Sequence, residues 1–223
     1  MIESIALGNF MRRLPVYILL DTSGSMRGEP IHAVNNSMQV LLSTLRQDPH
    51  ALDTVHISLI TFDLEARVMQ ELTPLDQFPQ IELKTPDSGP TFLGDALKMV
   101  GQKVKAEVRT GGTDGKGDWA PLLFIMTDGK PSDTMVFNEQ ATAIKSAGFA
   151  SIIGCGAGPS ADVTALKRFC TSVAMLDTLD GAGFEQFFKW VSDVIADGSK
   201  SSGTGPTPAT VLPPPPAEIN IVI

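Results

Sequence analysis

Asp21, Ser23 and Ser25 place one carboxylate and two hydroxyls at alternate positions of a tight turn, Asp21-Thr22-Ser23-Gly24-Ser25. Side chains spaced in this way on a bent segment can face one point, and Gly24 lets the backbone bend between them. Two distant stretches supply matching oxygens: Thr91 in Gly89-Pro90-Thr91, and Asp128 in Thr127-Asp128-Gly129. Carboxylates, hydroxyls and water are the ligand set of magnesium or manganese, and the absence of thiolate and imidazole from the set weighs against zinc. Two carboxylates roughly balance a divalent charge and the hydroxyls add none, so such a metal would stay attractive to an incoming anionic oxygen. An Asp or Glu of a protein partner could then replace a water as the last ligand. Taken singly, Asp21 and Asp128 are equally compatible with helix capping or turn formation.

The surrounding elements must bring these residues together. Val16 to Leu20 is an apolar run that reads as a buried strand ending at the acidic turn. A helix is expected from about Pro30 to Arg46, with Pro30 in its first turn and Val34, Met38, Leu41, Leu42 and Leu45 as its buried stripe. Val55 to Phe62 reads as a strand and Ala66 to Leu72 as its hairpin partner at an antiparallel edge. After an irregular, proline-punctuated crossing, Thr91 is expected to cap a helix whose apolar face is Leu93, Leu97, Val100 and Val104. Pro121 to Met126 is a second apolar strand, and it runs into the second acidic turn. Helices near 134–147, 162–169 and 184–195 then alternate with strands near 150–154 and 173–176. This order predicts an α/β fold: a doubly wound, mainly parallel sheet with one antiparallel edge strand and helices on both faces. Loops after parallel strands emerge at one edge, where open α/β sheets bind ligands, so the three oxygen-bearing stretches can converge there.

The pattern Asp21-Thr22-Ser23-Gly24-Ser25, with Thr91 and Thr127-Asp128-Gly129, resembles the metal-ion-dependent adhesion site of von Willebrand factor A (VWA) domains, and the element order extends the resemblance over about residues 14–197. Met26-Arg27-Gly28-Glu29-Pro30-Ile31, Gly94-Asp95-Ala96-Leu97 and the run from Thr127 to Asp133 are similar to the bacterial tellurium-resistance TerY subgroup. The resemblance implies a Rossmann-like VWA fold with Asp21, Ser23, Ser25, Thr91 and Asp128 as metal ligands, some through water. It also implies a non-enzymatic, intracellular interaction module that works with a phosphatase and a kinase-like protein in stress and tellurite-resistance systems. Pro90 stands where many family members carry a second glycine. Two other roles are weighed beside this one. A metal-dependent phosphoester hydrolase would need a general base or second metal, and no histidine, cysteine or extra acidic cluster is clearly aimed at the centre. A VWA subunit of an ATP-driven, chelatase-like metal-insertion complex would need its ATPase on another chain, since no glycine-lysine phosphate loop occurs.

With 223 residues, 43% hydrophobic and 19% charged, the chain is expected to form one domain with a tail. The boundaries read as an amino-terminal extension 1–13, the domain 14–197, a Ser/Gly/Pro-rich linker 198–218 and an apolar, β-prone segment 219–223. A formal net charge of -8 argues against a nucleic-acid partner and against anionic membranes. No apolar run is long enough to span a bilayer, and the amino-terminal residues carry Glu3 early and their arginines late, the reverse of a signal peptide, so a cytoplasmic location is expected. Cys155 and Cys170 read as core residues. Thr110 to Asp118 reads as a solvated surface connection, Asp87 and Ser88 as turn formers, His32 as a surface helix position, and His56 as a strand residue that packs or meets solvent. Met26, Arg27 and Lys130 are expected to rim the metal site and steer an acidic partner. The last residues can pair with a sheet edge in this chain or in a partner, or fray as a terminus.

Overall fold

All eight residues of the first strand, β1 (Leu14–Asp21), are buried, because it is an interior strand of a sheet covered on both faces. The computed structural model describes residues 12–86, 89–111, 116–158, 161–177, 179, 181–200, 212–216 and 219–222. The other strands are β2 (Val55–Phe62), β3 (Ala66–Pro74), β4 (Leu122–Thr127), β5 (Ser151–Ala157), β6 (Ser172–Leu176) and β7 (Asn220–Ile221). Their spatial order is β3-β2-β1-β4-β5-β6-β7. Strands β2, β1, β4, β5 and β6 run parallel, while β3 and β7 close the two edges in antiparallel pairing.

Alternation along β1 divides the interior in two. Val16, Ile18 and Leu20 face the layer formed by α1 (Glu29–Leu45), α2 (Pro49–Thr54) and α6 (Gly181–Lys200). Tyr17 and Leu19 face α3 (Leu93–Glu107), α4 (Thr134–Ala143) and α5 (Val163–Lys167). The buried stripe expected on the first helix is present, from Ile31 through Leu45. Cys155 and Cys170 are both buried and free, and burial pushes both thiols up.

Several elements differ from the sequence expectation. The helix α2 went unforeseen, although Asp48 and Pro49 announce it: the Asp48 carboxylate accepts from the amides of His50 and Ala51, and Pro49 occupies the first helical turn. Thr91 does not cap α3. That helix starts after Phe92 without a local side-chain cap, and Asp133, from the loop after β4, accepts from the amides of Gly94 and Asp95 at 3.1 and 2.8 Å. The last helix reaches Lys200 rather than ending near Ile195. The terminal segment is not frayed in the described residues: Ile219 is buried, Asn220 and Ile221 pair with Met175 and Ala174, and the Val222 amide donates to Val173 O. It adds a second antiparallel edge in cis. Leu212 to Pro216 reach it along α6, where Trp190 Nε1 donates to Pro213 O at 2.9 Å. Asp87 and Ser88 lie outside the described residues, as do residues 112–115 of the glycine-rich connection and most of the linker.

Candidate metal centre

The order β3-β2-β1-β4 changes direction between β1 and β4, and the crevice at such a switch point lies beyond the carboxyl ends of those two strands. Leu20 is in register with Met126, and one residue further Asp21 and Thr127 lie side by side. Thr127 Oγ1 donates to Asp21 Oδ2 at 2.6 Å, and the Ser23 amide donates to Asp21 Oδ1 at 2.8 Å. These bonds fix the direction of the Asp21 carboxylate before any ligand binds.

From there a chain of oxygens crosses the crevice. Ser23 Oγ lies 3.1 Å from Ser25 Oγ, and Ser25 Oγ donates to Asp128 Oδ1 at 2.9 Å. The first turn and the second are therefore in contact although 103 residues separate Ser25 from Asp128. Thr91 arrives from the third stretch. A side-chain carbon placed on Gly129 would come within 3.0 Å of Thr91 Oγ1, so the threonine hydroxyl packs against the residue after Asp128, and glycine keeps that space open.

Three residues that sequence reasoning left without a role hold this third stretch in place. The Thr91 amide donates to Ser132 Oγ and the Ser132 amide donates to Thr91 O, a reciprocal clamp between the two loops. Asp133 caps α3 from outside, as described. Gly94 permits the approach, since a side-chain carbon there would meet the Phe137 amide at 2.3 Å. Thr127, Ser132 and Asp133 all belong to the run quoted for the family resemblance; the signal was present, but a capping contact between segments some 40 residues apart has no local pattern.

Asp21, Ser23, Thr91 and Asp128 are buried, and Ser25 is exposed. Among the described residues no lysine, arginine or histidine pairs with Asp21 or Asp128. Burial raises the Asp21 carboxyl to about 6, against the hydrogen bonds from Ser23 and Thr127, and repulsion from Asp128 adds to the rise. Burial likewise raises Asp128, while Ser25 opposes it. Two desolvated carboxylates that repel each other, with hydroxyls between them, form a donor set that a small divalent cation fits. Among the described residues no group of three or more His, Cys, Asp and Glu could hold a metal, so such an ion would rely on the hydroxyls as well as the two carboxylates.

The expected rim is only partly present. Arg27 and Lys130 are exposed, whereas Met26 is fully buried in the core and cannot face a partner. His32 is exposed on α1, and His56 is half-buried with Nδ1 3.2 Å from Thr54 O. A third acid near the crevice, Asp63, is buried but occupied by Arg67 at 2.8 Å.

Comparison with known proteins bears on the fold that carries this crevice. No curated protein sequence matches the chain. Among solved structures it is similar to a von Willebrand factor type A protein from Catenulispora acidiphila, with a TM-score of 0.67, 16% identity, and 83% of this chain and 43% of that one covered. It is also similar to proximal thread matrix protein 1 from the mussel byssus with a zinc-occupied MIDAS motif, with a TM-score of 0.60, 19% identity, and 82% and 48% covered. BatB from Bacteroides thetaiotaomicron gives a TM-score of 0.55 at 14% identity, with 81% and 98% covered. The chain thus spans less than half the length of the first two. These likenesses concern the fold. The family model for the von Willebrand factor type A domain matches residues 16–193, most of the chain, and the protein belongs to that family.

Proposed function

We propose that the protein is a non-enzymatic, metal-dependent interaction module in which Asp21, Ser23, Ser25, Thr91 and Asp128 hold a divalent cation and an acidic side chain of a protein partner completes its coordination. The observation that carries this reading is the hydrogen-bonded chain from Asp21 through Ser23 and Ser25 to Asp128, with Thr91 Oγ1 packed beside Gly129. Bound there, the cation would act as a Lewis acid that attracts an anionic oxygen. This chain's own residues orient the donors: Thr127 fixes Asp21, and Ser132 fixes Thr91. Leu64, after β2, and Met135, in the first turn of α4, are exposed, at 60% and 88%, which gives a protein partner apolar surface to cover.

Magnesium or manganese is the ion this oxygen set favours. The mussel protein's zinc-occupied motif makes zinc the competitor to test. A role in a tellurite-resistance or stress-response system, with phosphatase and kinase-like partners, rests on the sequence motifs alone, and a cytoplasmic location rests on the amino-terminal charge order and the lengths of the apolar runs. Among the described residues no helix is long and apolar enough to cross a membrane.

The test is calorimetric titration with magnesium, manganese and zinc, followed by pull-down from the native host with metal, with chelator, and with Asp21→Ala. Capture of a partner is expected only with metal and the intact site. Equal capture in all three conditions would remove the mechanism.

A further inference from the structure

The opposite end of the sheet carries a feature that the metal reading leaves unused. Beneath the amino-terminal strand ends lies a cavity of about 750 Å³ whose lining includes Arg12, Lys105, Arg109, Lys116 and Trp119. A neighbouring hollow of about 330 Å³ shares Arg12, Arg109 and Lys116 with it and adds Arg13, Asp53 and His56. Among the residues lining the two, five cations face the two carboxylates Asp53 and Asp118. The chain as a whole carries 17 Lys and Arg against 25 Asp and Glu, so this concentration runs against the overall balance.

Most of that positive charge is not cancelled from within. Asp118 is committed to Arg13, whose Nε and Nη2 donate to it at 2.9 and 2.5 Å, and to the Arg109 amide at 2.8 Å. Arg12 is held just as firmly but by neutral groups: Nε donates to Gly117 O at 2.8 Å, Nη2 to Asp118 O at 3.0 Å, and the guanidinium lies 5.6 Å from the Trp119 ring centroid. Two of its five N–H donors are thereby used, and its charge stays fixed at the cavity wall. The side chains of Lys105, Arg109 and Lys116 are exposed and form no ion pair among the described residues.

We propose that this cavity binds a small organic molecule carrying a diphosphate group, seated between Arg12, Arg109 and Lys116 with the organic part toward Trp119. A guanidinium held at the wall presents phosphate with donors whose ordering cost has already been met by folding. Arg12 from before β1, with Arg109 and Lys116 from the connection between α3 and β4, meet at one cavity and match a charge concentrated in one group better than single carboxylates spaced along a peptide. The site is independent of the metal centre, because the length of β1 alone separates the two ends by roughly 23 Å at about 3.3 Å per residue.

The chain has two tryptophans. Trp190 is buried in the core at 2% exposure, so a change in emission on ligand addition reports Trp119. Sodium pyrophosphate is titrated in EDTA at constant ionic strength, with calorimetry as a second readout. Saturable binding is expected, ADP should compete for the same site, and Arg109→Gln combined with Lys116→Gln should weaken pyrophosphate by about tenfold or more while the melting temperature is kept. Absence of saturation, or equal affinity in the double variant, overturns the site. Failure of ADP to compete overturns the organic ligand, and tighter binding of a hexaglutamate peptide than of pyrophosphate overturns the phosphate class.

Discussion

The two ends of the sheet solve the same problem in opposite ways. At the amino-terminal end Asp118 is almost wholly enclosed, with a side chain 4% exposed, and a guanidinium of the same chain neutralises it through two hydrogen bonds. At the carboxyl end Asp21 and Asp128 are as deeply enclosed, yet their partners are hydroxyls and amides that carry no charge. A buried carboxylate paired internally serves the fold, whereas one left with hydroxyls alone keeps its charge available to something outside the chain. On the proposed reading, the difference separates structural acids from metal-binding ones where residue type and burial do not.

The largest effect is expected from breaking the internally paired end. Asp118→Ala leaves Arg13 without its carboxylate and the Arg109 amide without an acceptor, and should cost on the order of 3 kcal/mol of unfolding free energy. Denaturant unfolding with and without magnesium should show the same loss. Asp128→Ala should instead abolish stabilisation by divalent cations. If Asp118→Ala were rescued by magnesium, the contrast between the two ends would collapse.

The next effect concerns pH. Asp21 has its carboxyl at about 6 in the folded chain, from an ordinary value of 3.8, through burial. The native state therefore holds a proton between about pH 4 and pH 6 that the unfolded chain has released. Stability from this group falls as pH climbs through that window, and the full penalty applies above it. In chelator, the stability of Asp21→Asn relative to the unaltered protein should rise by up to about 3 kcal/mol from pH 4 to pH 7. Reading the change between the two pH values cancels any constant cost of the amide. A flat difference would show that Asp21 is already compensated, as Asp118 is.

How much of this was legible in the sequence follows from the range of the signals. Period-two and period-3.6 patterns report burial within one element, so β1, β2 and β4 and the apolar stripes of α1 and α3 were readable from their own residues. The three turns that carry the five proposed donors were readable too, since each follows a strand or precedes a helix in a short polar segment. What stayed hidden depends on contacts between remote segments. Asp133 caps a helix that begins 40 residues earlier in the chain, and Ser132 clamps Thr91 across the same gap. Met26 looked like part of a polar rim because Arg27 follows it, but the 3-10 turn Gly24–Met26 rotates it into the core. The terminal strand was ambiguous because two paired residues are too short to show a period, and the vacant edge of β6 could not be known before the sheet order.

A finer comparison lies within the site. Ser25 is exposed, so Ser25→Ala should leave metal-free stability within about 0.5 kcal/mol while lowering divalent affinity by roughly tenfold. Calorimetric titration beside a thermal melt in chelator separates the two. Equal metal affinity would mean that Ser25 only bridges Ser23 to Asp128, and the carboxyl end would then hold one fewer donor than proposed.

The smallest effect tests Asp63, which stands between the two cases. It lies at the carboxyl end with Asp21 and Asp128, and its carbonyl accepts from the Phe92 amide, yet its carboxylate is paired with Arg67 as Asp118 is with Arg13. The Arg67 side chain is 46% exposed, so water can replace most of what it supplies. Arg67→Ala should therefore cost no more than about 1 kcal/mol. If pairing rather than position decides a carboxylate's role, removing Arg67 adds an uncompensated negative charge near the crevice, and magnesium affinity should stay equal or increase slightly. A clear fall in affinity would instead place Arg67 among the groups that shape the centre, and position at the strand ends would count for more than the partner each acid keeps.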